Sequence, residues 1–239
     1  MPSIKSHSIK FIFLFAVFFI FGYSFNYLIN SKTNEKKINN YLENHPEKIE
    51  SFINLAEGIL IDKKNEIQKN IINQNKLLLE NQKFYIGNPS GTKIIYEFFD
   101  YNCGFCKRVF SDLIELISED ENIKIVFIEL PVLGQSSLLA SKAAYVAFNE
   151  GKYFEMHQKL INHLGKITID NIKTFASEIN IEPNLLIENM NKLNIGFIED
   201  NYILADKLDI NGTPTFIINE EVIPGAIDKA AILRLISSN

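Results

Sequence analysis

The fold is decided by residues 94–106, which read IIYEFFDYNCGFC. The nearly continuous apolar and aromatic run at 94–99 is typical of a strand buried on both faces. After Cys106 the apolar residues recur at helical spacing, and residues 123–130 form a second apolar run that stops at Pro131. A strand, a helix and a strand at this spacing predict a βαβ unit with a parallel strand pair.

The chain has two cysteines, Cys103 and Cys106, and both lie where the first strand ends and the helix begins. Asn102 is the expected N-cap, and the first-turn N–H groups and the helix dipole favour a negative charge at Cys103. Thiols in such a position ionise with a pKa of ~3.5–7.5 in place of ~8.5. A lower pKa makes Cys103 a better leaving group and its disulfide more oxidising, by about 30 mV per pKa unit. Cys106, one helical turn later, is the expected resolving thiol.

The cysteine pair is also compatible with three roles outside redox chemistry. A zinc site needs four ligands, and the available imidazoles are those of His7, His45, His157 and His163. A structural disulfide between Cys103 and Cys106 closes a very short loop and therefore stabilises little. The third possibility is two unrelated buried thiols. The position of the pair between a buried strand and a helix favours a redox function.

The rest of the chain continues a mixed α/β pattern. Residues 134–209 are helical in pattern. Residues 215–218 and 221–223 flank a tight turn and predict a β-hairpin. Asp228 is the expected cap of a last helix. The formal net charge of −5 leaves no basic surface for a nucleic-acid partner.

The N-terminus predicts export. Lys5 and Lys10 precede an unbroken apolar run at 11–21, which is too short to span ~30 Å of hydrocarbon but fits the core of a signal peptide. A small-x-small pattern then predicts cleavage after Ser24, so that residues 1–24 are the signal; the alternative is an uncleaved anchor reaching about Ile29. Either outcome places the body in the periplasm, where disulfides persist.

Residues 25–81 are predicted to be a linker and an N-terminal helical extension. The polar residues 30–40 are the expected linker. A long amphipathic helix then covers much of 46–80, with a break expected near Gly58 or residues 63–65. Its apolar stripe is buried either by packing on its own domain or by a homo-oligomer formed through 46–80.

Residues 98–107, FFDYNCGFCK, closely resemble the active-site segment of the DsbA family of thiol:disulfide oxidoreductases, in particular its alphaproteobacterial branch and the suppressor-of-copper-sensitivity proteins. Residues 129–134, ELPVLG, and 212–215, GTPT, resemble two further segments of that family. The resemblance covers 82–239. It implies a thioredoxin-like α/β fold with a helical insertion at 134–209.

The resemblance also implies roles for single residues. Cys103 is the expected nucleophile and Cys106 the resolver. Pro214 is expected to face the pair with a cis peptide bond and to bind an extended segment of the client protein. Thr213 and Phe105 are the expected substrate-binding neighbours. No cofactor and no metal are expected.

Glu97 lies six residues before Cys103, where the family has a carboxylate beneath the active site. An acid inside an apolar strand is costly unless it has a partner or takes a proton. We therefore interpret Glu97 as a proton shuttle for Cys106; the alternative is an exposed glutamate at a strand end. Lys107 and Arg108 either add positive potential near the thiolate or form a solvated helix face.

The resemblance leaves the direction of the reaction open. The family's prototype oxidase has Pro-His between its cysteines, whereas Gly104-Phe105 and Thr213 are similar to the disulfide isomerases. The expected partners are exported proteins with cysteines and a membrane redox partner that reoxidises or reduces the pair. A non-enzymatic alternative is an envelope or scaffold protein with an idle thioredoxin fold, which the N-terminal extension motivates.

Overall fold

The computed structural model describes residues 32–237, and the chain divides into two compact units, Met1–Asp62 and Lys63–Asn239. The predicted signal peptide at 1–24, or anchor to about residue 29, lies outside the described residues. Within residues 32–237, none of the helices combines the length and the apolar character needed to cross a membrane.

The helices and strands of the described residues follow one another along the chain as α1 (32–44), a 3₁₀ turn (Pro46–Lys48), α2 (Ile49–Gln74), α3 (Lys76–Glu80), β1 (Tyr85–Gly87), β2 (Lys93–Phe99), α4 (Gly104–Glu119), β3 (Ile123–Glu129), α5 (Gln135–Asn149), α6 (Tyr153–Asn162), α7 (Ile169–Glu178), α8 (Pro183–Lys192), α9 (Gly196–Lys207), β4 (Thr215–Ile218), β5 (Glu221–Pro224) and α10 (Lys229–Ile236).

The strands of the second unit form one mixed sheet in the order β1-β3-β2-β4-β5. β2 and β3 run parallel, with Glu97 opposite Phe127 and Phe99 opposite Glu129, and the other pairs are antiparallel. Because α4 connects β2 to β3, the predicted βαβ unit is confirmed, as is the thioredoxin-like α/β fold. The predicted hairpin is also present, as β4 and β5.

Side chains alternate between the two faces of the sheet, so β2 contributes to two cores. On one face Phe99 and Phe127 pack with Leu113 of α4 and Ile232 of α10. On the other face Phe98 belongs to a second cluster. Each fully buried side chain of this size stabilises the fold by about 1.5–3 kcal/mol, so both faces of β2 need their helical cover.

The second face of the sheet is covered by α9 together with the end of α2. Ile72 packs with Ile128, Ile217 and Leu208 in a cluster that excludes water. The part of the predicted amphipathic helix from residue 63 onward therefore packs on its own domain. Leu79 of α3 belongs to the same cluster.

The helical block α5–α9 lies between β3 and β4. Its first helix carries small buried side chains, Ala140, Ala143 and Ala144, which allow α6 and α8 to approach closely. Thr168 caps α7 with a reciprocal capping box to Asn171. This block therefore brings the start of α5 to the end of β2.

The first unit is helical where it is described. The segment predicted as a linker at 30–40 is helical where it is described, within the helix 32–44. The spacing of Ile38, Tyr41 and Leu42 favours the helix there. The break predicted near Gly58 or 63–65 is wrong: α2 continues to Gln74, because one glycine costs only about 1 kcal/mol relative to alanine.

Large apolar side chains remain exposed on this unit. Phe52 is 46% exposed and Leu60 is 65% exposed. The others that share this exposure are Ile38, Tyr41, Ile49, Ile53, Leu55, Ile59 and Ile61. Large contiguous exposed apolar patches are typical of interaction surfaces.

Candidate active site

The loop between β2 and α4 is fixed by the buried carboxylate of Asp100. Its Oδ1 accepts a hydrogen bond from the Asn102 N–H (2.7 Å) and its Oδ2 accepts one from the Leu133 N–H (2.9 Å). The Asp100 carbonyl accepts a third from the Cys103 N–H (3.0 Å). These bonds tie the loop to the segment after β3 and place Cys103 at the start of α4.

Asn102 does not cap α4, contrary to the sequence prediction. The N-cap is Cys103, whose Sγ accepts a hydrogen bond from the Cys106 N–H at 3.5 Å. The Asn102 amide instead donates to the hydroxyls of Ser136 (3.2 Å) and Ser137 (2.9 Å) on α5. The helix begins one residue later than expected, at Gly104, so the sulfur itself occupies the capping position.

The surroundings lower the pKa of Cys103 to about 5. The largest cause is a hydrogen bond from the Cys106 thiol, and bonds from Thr213 and from the N–H groups of Cys106 and Phe105 act in the same direction. Partial burial opposes them. These donated bonds outweigh both the burial and the bond that the protonated Cys103 thiol donates to the Thr213 carbonyl (3.1 Å), so a pKa of about 5 makes Cys103 mainly a thiolate at neutral pH.

Cys106 differs from Cys103 in its surroundings. Its side chain is buried, and burial is the main reason that its pKa is raised above the ordinary thiol value; Cys103 and Glu97 add to the effect. Both cysteines are free thiols here. The pair therefore consists of one anionic sulfur at the helix N-terminus and one protonated sulfur in the interior.

Glu97 lies inside the sheet, 2% exposed, with Phe127 and Phe216 as its ladder neighbours. Among the described residues, nothing donates a hydrogen bond to its Oε1. Burial, and then the charge of Cys103, raise the pKa of Glu97 well above its usual range. The alternative of an exposed strand-end glutamate is therefore wrong, and a protonatable carboxyl lies near both thiols.

The loop that carries Pro214 faces the cysteines. The Thr213–Pro214 peptide bond is cis, as the resemblance implies. The Thr213 carbonyl lies 3.1 Å from Cys103 Sγ. The loop is held on its far side by bonds from the Gly225 N–H to the Pro214 carbonyl (2.9 Å) and from the Thr215 hydroxyl to the backbone (2.8 Å).

The first turn of α4 forms the rim of the site. Phe105 is 55% exposed, and the Arg108 guanidinium lies 4.4 Å from the centre of its ring, a cation–π contact. Lys107 is half-buried, and its Nζ donates to the His163 carbonyl. Burial lowers the pKa of Lys107, whereas the charges of Asp100 and Cys103 raise it. Its charge therefore acts on the site rather than on solvent alone.

A buried polar network that the sequence pattern does not predict lies behind the site. Glu129 accepts hydrogen bonds from the hydroxyls of Tyr101 (3.2 Å) and Ser141 (2.6 Å). The Tyr101 oxygen also lies 2.9 Å from His157 Nδ1, and the Tyr153 oxygen lies 3.3 Å from it. A glutamate at the end of an apolar strand was the one available signal.

Burial sets the charges in this network. It raises the pKa of Glu129 to about 8 and lowers the pKa of His157 to about 3. His157 is thus a neutral ring that stacks on Phe127 (4.3 Å). Across residues 32–237, no three side chains of the histidine, cysteine, aspartate and glutamate types are grouped as metal ligands.

The family model described as Thioredoxin (Thioredoxin_4) matches residues 80–238. The chain therefore belongs to the thioredoxin family. Its Cys103–Cys106 pair, at the start of a helix and facing a cis proline, is the arrangement of a thiol–disulfide oxidoreductase domain.

Similar proteins agree with this class. A thioredoxin-like oxidoreductase from Silicibacter pomeroyi DSS-3 is 31% identical, with 67% of this chain and 94% of that chain covered and a TM-score of 0.64. The thiol-disulfide exchange protein alpha-DsbA2 from Wolbachia pipientis is 27% identical, with 74% and 97% covered and a TM-score of 0.67. Disulfide bond formation protein D from Bacillus subtilis is 28% identical, with 60% and 70% covered.

Other curated relatives are much longer than this chain. It is 24% identical over 147 residues to the Na(+)/H(+) antiporter NhaA 1 of Salinispora arenicola. The chain spans 22% of that antiporter.

Proposed function

We propose that this protein catalyses thiol–disulfide exchange in exported proteins, forming or isomerising their disulfide bonds. The observation that carries the proposal is the position of Cys103 Sγ at the N-cap of α4, beside the buried thiol of Cys106 and facing the cis-proline loop. These contacts lower the pKa of Cys103 to about 5. A sulfur that is stable as an anion is a good leaving group, so the Cys103–Cys106 disulfide is readily donated.

In the oxidising direction, a client thiolate attacks Cys103 Sγ of the disulfide, and the Cys106 thiolate leaves and takes a proton. A second client thiolate then attacks the client sulfur of the mixed disulfide, and Cys103 leaves as a thiolate. Two electrons pass from the client to the protein, and the client gains one disulfide. Isomerisation begins instead with attack by the reduced Cys103 on a client disulfide.

We further propose that Glu97 exchanges protons with Cys106 in these steps. Cys106 has to gain a proton as it leaves and lose one as it attacks, and it is shielded from water. Glu97 is the buried carboxyl whose charge acts on Cys106. A neutral Glu97 supplies the proton, and its carboxylate takes the proton back.

The client is proposed to lie across Thr213, Pro214 and Phe105. Thr213 brings a backbone carbonyl to within 3.1 Å of Cys103 Sγ, so an extended segment over it places its own sulfur at Cys103. Phe105, two residues after Cys103, adds an exposed ring on the first turn of α4. Main-chain pairing with an extended peptide gives affinity without demanding one sequence.

The choice between oxidase and isomerase is tested by two measurements. The residues between the cysteines, Gly104 and Phe105, contribute no cation to the thiolate, which favours an isomerase; the low pKa of Cys103 favours an oxidase. A strongly oxidising reduction potential supports oxidation. A weakly oxidising potential in an oligomer supports isomerisation.

The periplasm is the proposed compartment, on the strength of the N-terminal sequence. In this organisation residues 1–24 are removed, or an anchor extends to about residue 29; residues 25–81 are the extension; and residues 82–239 are the catalytic domain with its insertion at 134–209. A membrane redox partner resets the pair. N-terminal sequencing of the mature protein tests the cleavage.

A homo-oligomer is proposed through the extension, whose sequence pattern places the contact within 46–80. The residues from 63 to 80 already bury Gln68, Ile72 and Leu79 in their own unit, so the self-association surface is the apolar part that precedes them. Phe52→Asp is expected to lower the oligomeric mass. Glu47→Lys, nearby and exposed, is the control and is expected to leave the mass unchanged.

Catalysis itself is tested with insulin reduction and scrambled ribonuclease refolding. Wild type is expected to accelerate at least one of them, and Cys103→Ser is expected to be inactive. Cys106→Ser is the matched control, because it keeps the nucleophile and accumulates a mixed disulfide with the client. A wild-type protein no better than Cys103→Ser supports the alternative of an idle scaffold.

A further inference from the structure

A groove of about 490 Å³ lies beside the cis-proline loop in the second unit. Its volume falls within the range of ligand-binding clefts, about 300–1,000 Å³. One wall is formed by α2 from residue 64 onward, another by the loop before β4, and a third by the end of β5. The lining residues include Lys64, Gln68, Asp209, Thr213 and Val222.

The groove adjoins the loop that faces Cys103, and neither cysteine lines it. Thr213 lines it, and the carbonyl of the same residue is 3.1 Å from Cys103 Sγ. A client chain whose sulfur reacts at Cys103 therefore has its neighbouring residues at one end of the groove. Proximity to the reacting sulfur makes a polypeptide a more suitable occupant than a free small molecule.

The α2 wall is tied to the loop that carries the cis proline. The buried Gln68 donates from Nε2 to the Leu208 carbonyl at 2.5 Å. Lys64 Nζ lies 2.6 Å from Asp209 Oδ2 at the start of that loop, and Lys69 Nζ lies 2.9 Å from Glu220 Oε2 in the turn between β4 and β5. The wall is thus a fixed part of the groove.

The charges of the groove are exposed but matched. The side chains of Lys64 and Asp209 are 52% and 61% exposed, so a client can reach both. Because the two charges neutralise each other, the intact groove favours neither an acidic nor a basic segment. Val222 and Ile210 add apolar surface, which suits a segment of mixed polarity.

We propose that this groove binds the extended segment of a client protein on one side of its reactive cysteine, with the last part of α2 as one wall. The proposal rests on the proposed exchange function and adds to it a second binding region beyond the cis-proline loop. The Lys64–Asp209 pair makes the region tolerant of either charge.

The test unbalances the pair in both directions and measures exchange with charged peptides. Asp209→Asn leaves Lys64 unpaired, and Lys64→Gln leaves Asp209 unpaired. Asn is suitable at position 209, where φ is +54°, because it tolerates positive φ well. Glu188→Gln and Lys192→Gln are the controls, because that pair is equally close, 2.6 Å, and also mostly exposed, but lies on α8.

The probes are single-cysteine peptides, each joined through a disulfide to an aromatic thiol, with either acidic or basic residues on one side of the cysteine. Attack by Cys103 forms the peptide–enzyme disulfide and releases the coloured aromatic thiolate; Cys106 then attacks Cys103 Sγ and releases the peptide thiolate. Each rate is divided by that variant's rate with the symmetrical aromatic disulfide, which carries no peptide.

Asp209→Asn is expected to raise the ratio of acidic-peptide to basic-peptide rates by about two- to fivefold, and Lys64→Gln to lower it by a similar factor, as expected for exposed ion pairs. This change in the rate ratio is expected only when the charged residues of the peptide lie on one particular side of its cysteine. The α8 controls are expected to leave the ratio unchanged. The opposite signs separate binding from misfolding, since a damaged fold lowers both rates together.

Normal peptide exchange with a ratio that matches the α8 controls, or with equal shifts from either side of the cysteine, overturns the groove and leaves the exchange function standing. Absence of exchange with every peptide overturns the proposed function, and the groove with it.

Discussion

Glu97 and Glu129 are two buried carboxyls on neighbouring parallel strands, and their surroundings are opposite. In the β2–β3 ladder Glu97 pairs with Phe127 and Glu129 pairs with Phe99, so the two acids lie two residues apart along the ladder, on the same face of the sheet. Glu129 accepts hydrogen bonds from two hydroxyls. Glu97 has an oxygen with no donor in the described part of the chain.

The difference separates a structural acid from a reactive one. A carboxyl with its hydrogen bonds made fixes the groups around it, and removing it leaves those groups unsatisfied. A buried carboxyl that lacks hydrogen-bond donors destabilises the fold, and no structural bond is broken when it gains or loses its proton. The charge of Cys103 raises the pKa of Glu97 but is not among the influences on Glu129, which links Glu97 alone to the redox pair.

The largest expected effect is on stability, from Glu129→Leu. The variant leaves the Tyr101 and Ser141 hydroxyls without their acceptor, which costs about 3 kcal/mol for two buried groups. Urea denaturation measures the loss. Glu129→Gln keeps an acceptor and is the control, with a loss expected to be well below that of the leucine variant; equal losses would contradict the structural role.

The second effect is on the difference in free energy of unfolding between the reduced and the oxidised form, which is expected to depend on pH. Cys103 has a pKa of about 5 when folded and an ordinary value of 9.0, so its stabilisation is complete above the unfolded pKa and is lost as pH falls through 5. The oxidised form has no thiolate and therefore lacks this contribution. We expect the stability of the reduced form relative to the oxidised form to decrease by about 2 kcal/mol from pH 9 to pH 5. This is less than the pKa shift of Cys103 alone implies, because the sulfur is partly exposed to solvent.

Parallel denaturation series on the two redox forms measure this difference. Curves that stay parallel across the range would show that the thiolate adds nothing to the stability of the reduced protein.

The third effect is kinetic. Glu97→Gln is expected to slow the steps that protonate or deprotonate Cys106 by about tenfold. This is below the ~10²–10⁴-fold range of general acid–base catalysis, because the mixed disulfide separates Cys106 from Cys103 and lets water replace part of the carboxyl's role. Stopped-flow decay of the mixed disulfide, followed across pH, measures the resolving step. Glu129→Gln is the matched control. An unchanged pH profile in the Glu97 variant would remove the proton shuttle.

The smallest effect is a gain. Glu97→Leu removes a buried polar group that lacks a hydrogen bond and is expected to stabilise the protein by about 1 kcal/mol, while exchange slows as in Glu97→Gln. Thermal or urea unfolding of the two Glu97 variants measures it. If Glu97→Leu lost as much stability as Glu129→Leu, the two acids would both be structural and the distinction between them would be wrong.

The sequence predicts those parts of the site in which the decisive residues are close along the chain. β2, Cys103 and the first turn of α4 form one continuous segment, so periodicity and the two cysteines identify them together. The family resemblance supplies Thr213 and Pro214, which lie far from the cysteines in sequence.

Contacts between distant segments could not be predicted in the same way. His157 meets Tyr101 across more than fifty residues, and Asn102 turns to α5 because α4 starts one residue later than expected. α2 shows the same limit: its apolar stripe predicts that something covers it, but only the tertiary structure shows that Ile72 packs against α9 and the sheet.

The most direct test is the ionisation of Cys103 itself, followed by thiolate absorbance and by alkylation rate as a function of pH, with Cys103→Ser as the blank. We expect a single transition with a pKa of about 5 and prompt alkylation above it. A transition near 9, the value of an ordinary thiol, or a thiol that alkylating reagents fail to reach, would contradict the stabilised thiolate on which the proposed exchange chemistry depends.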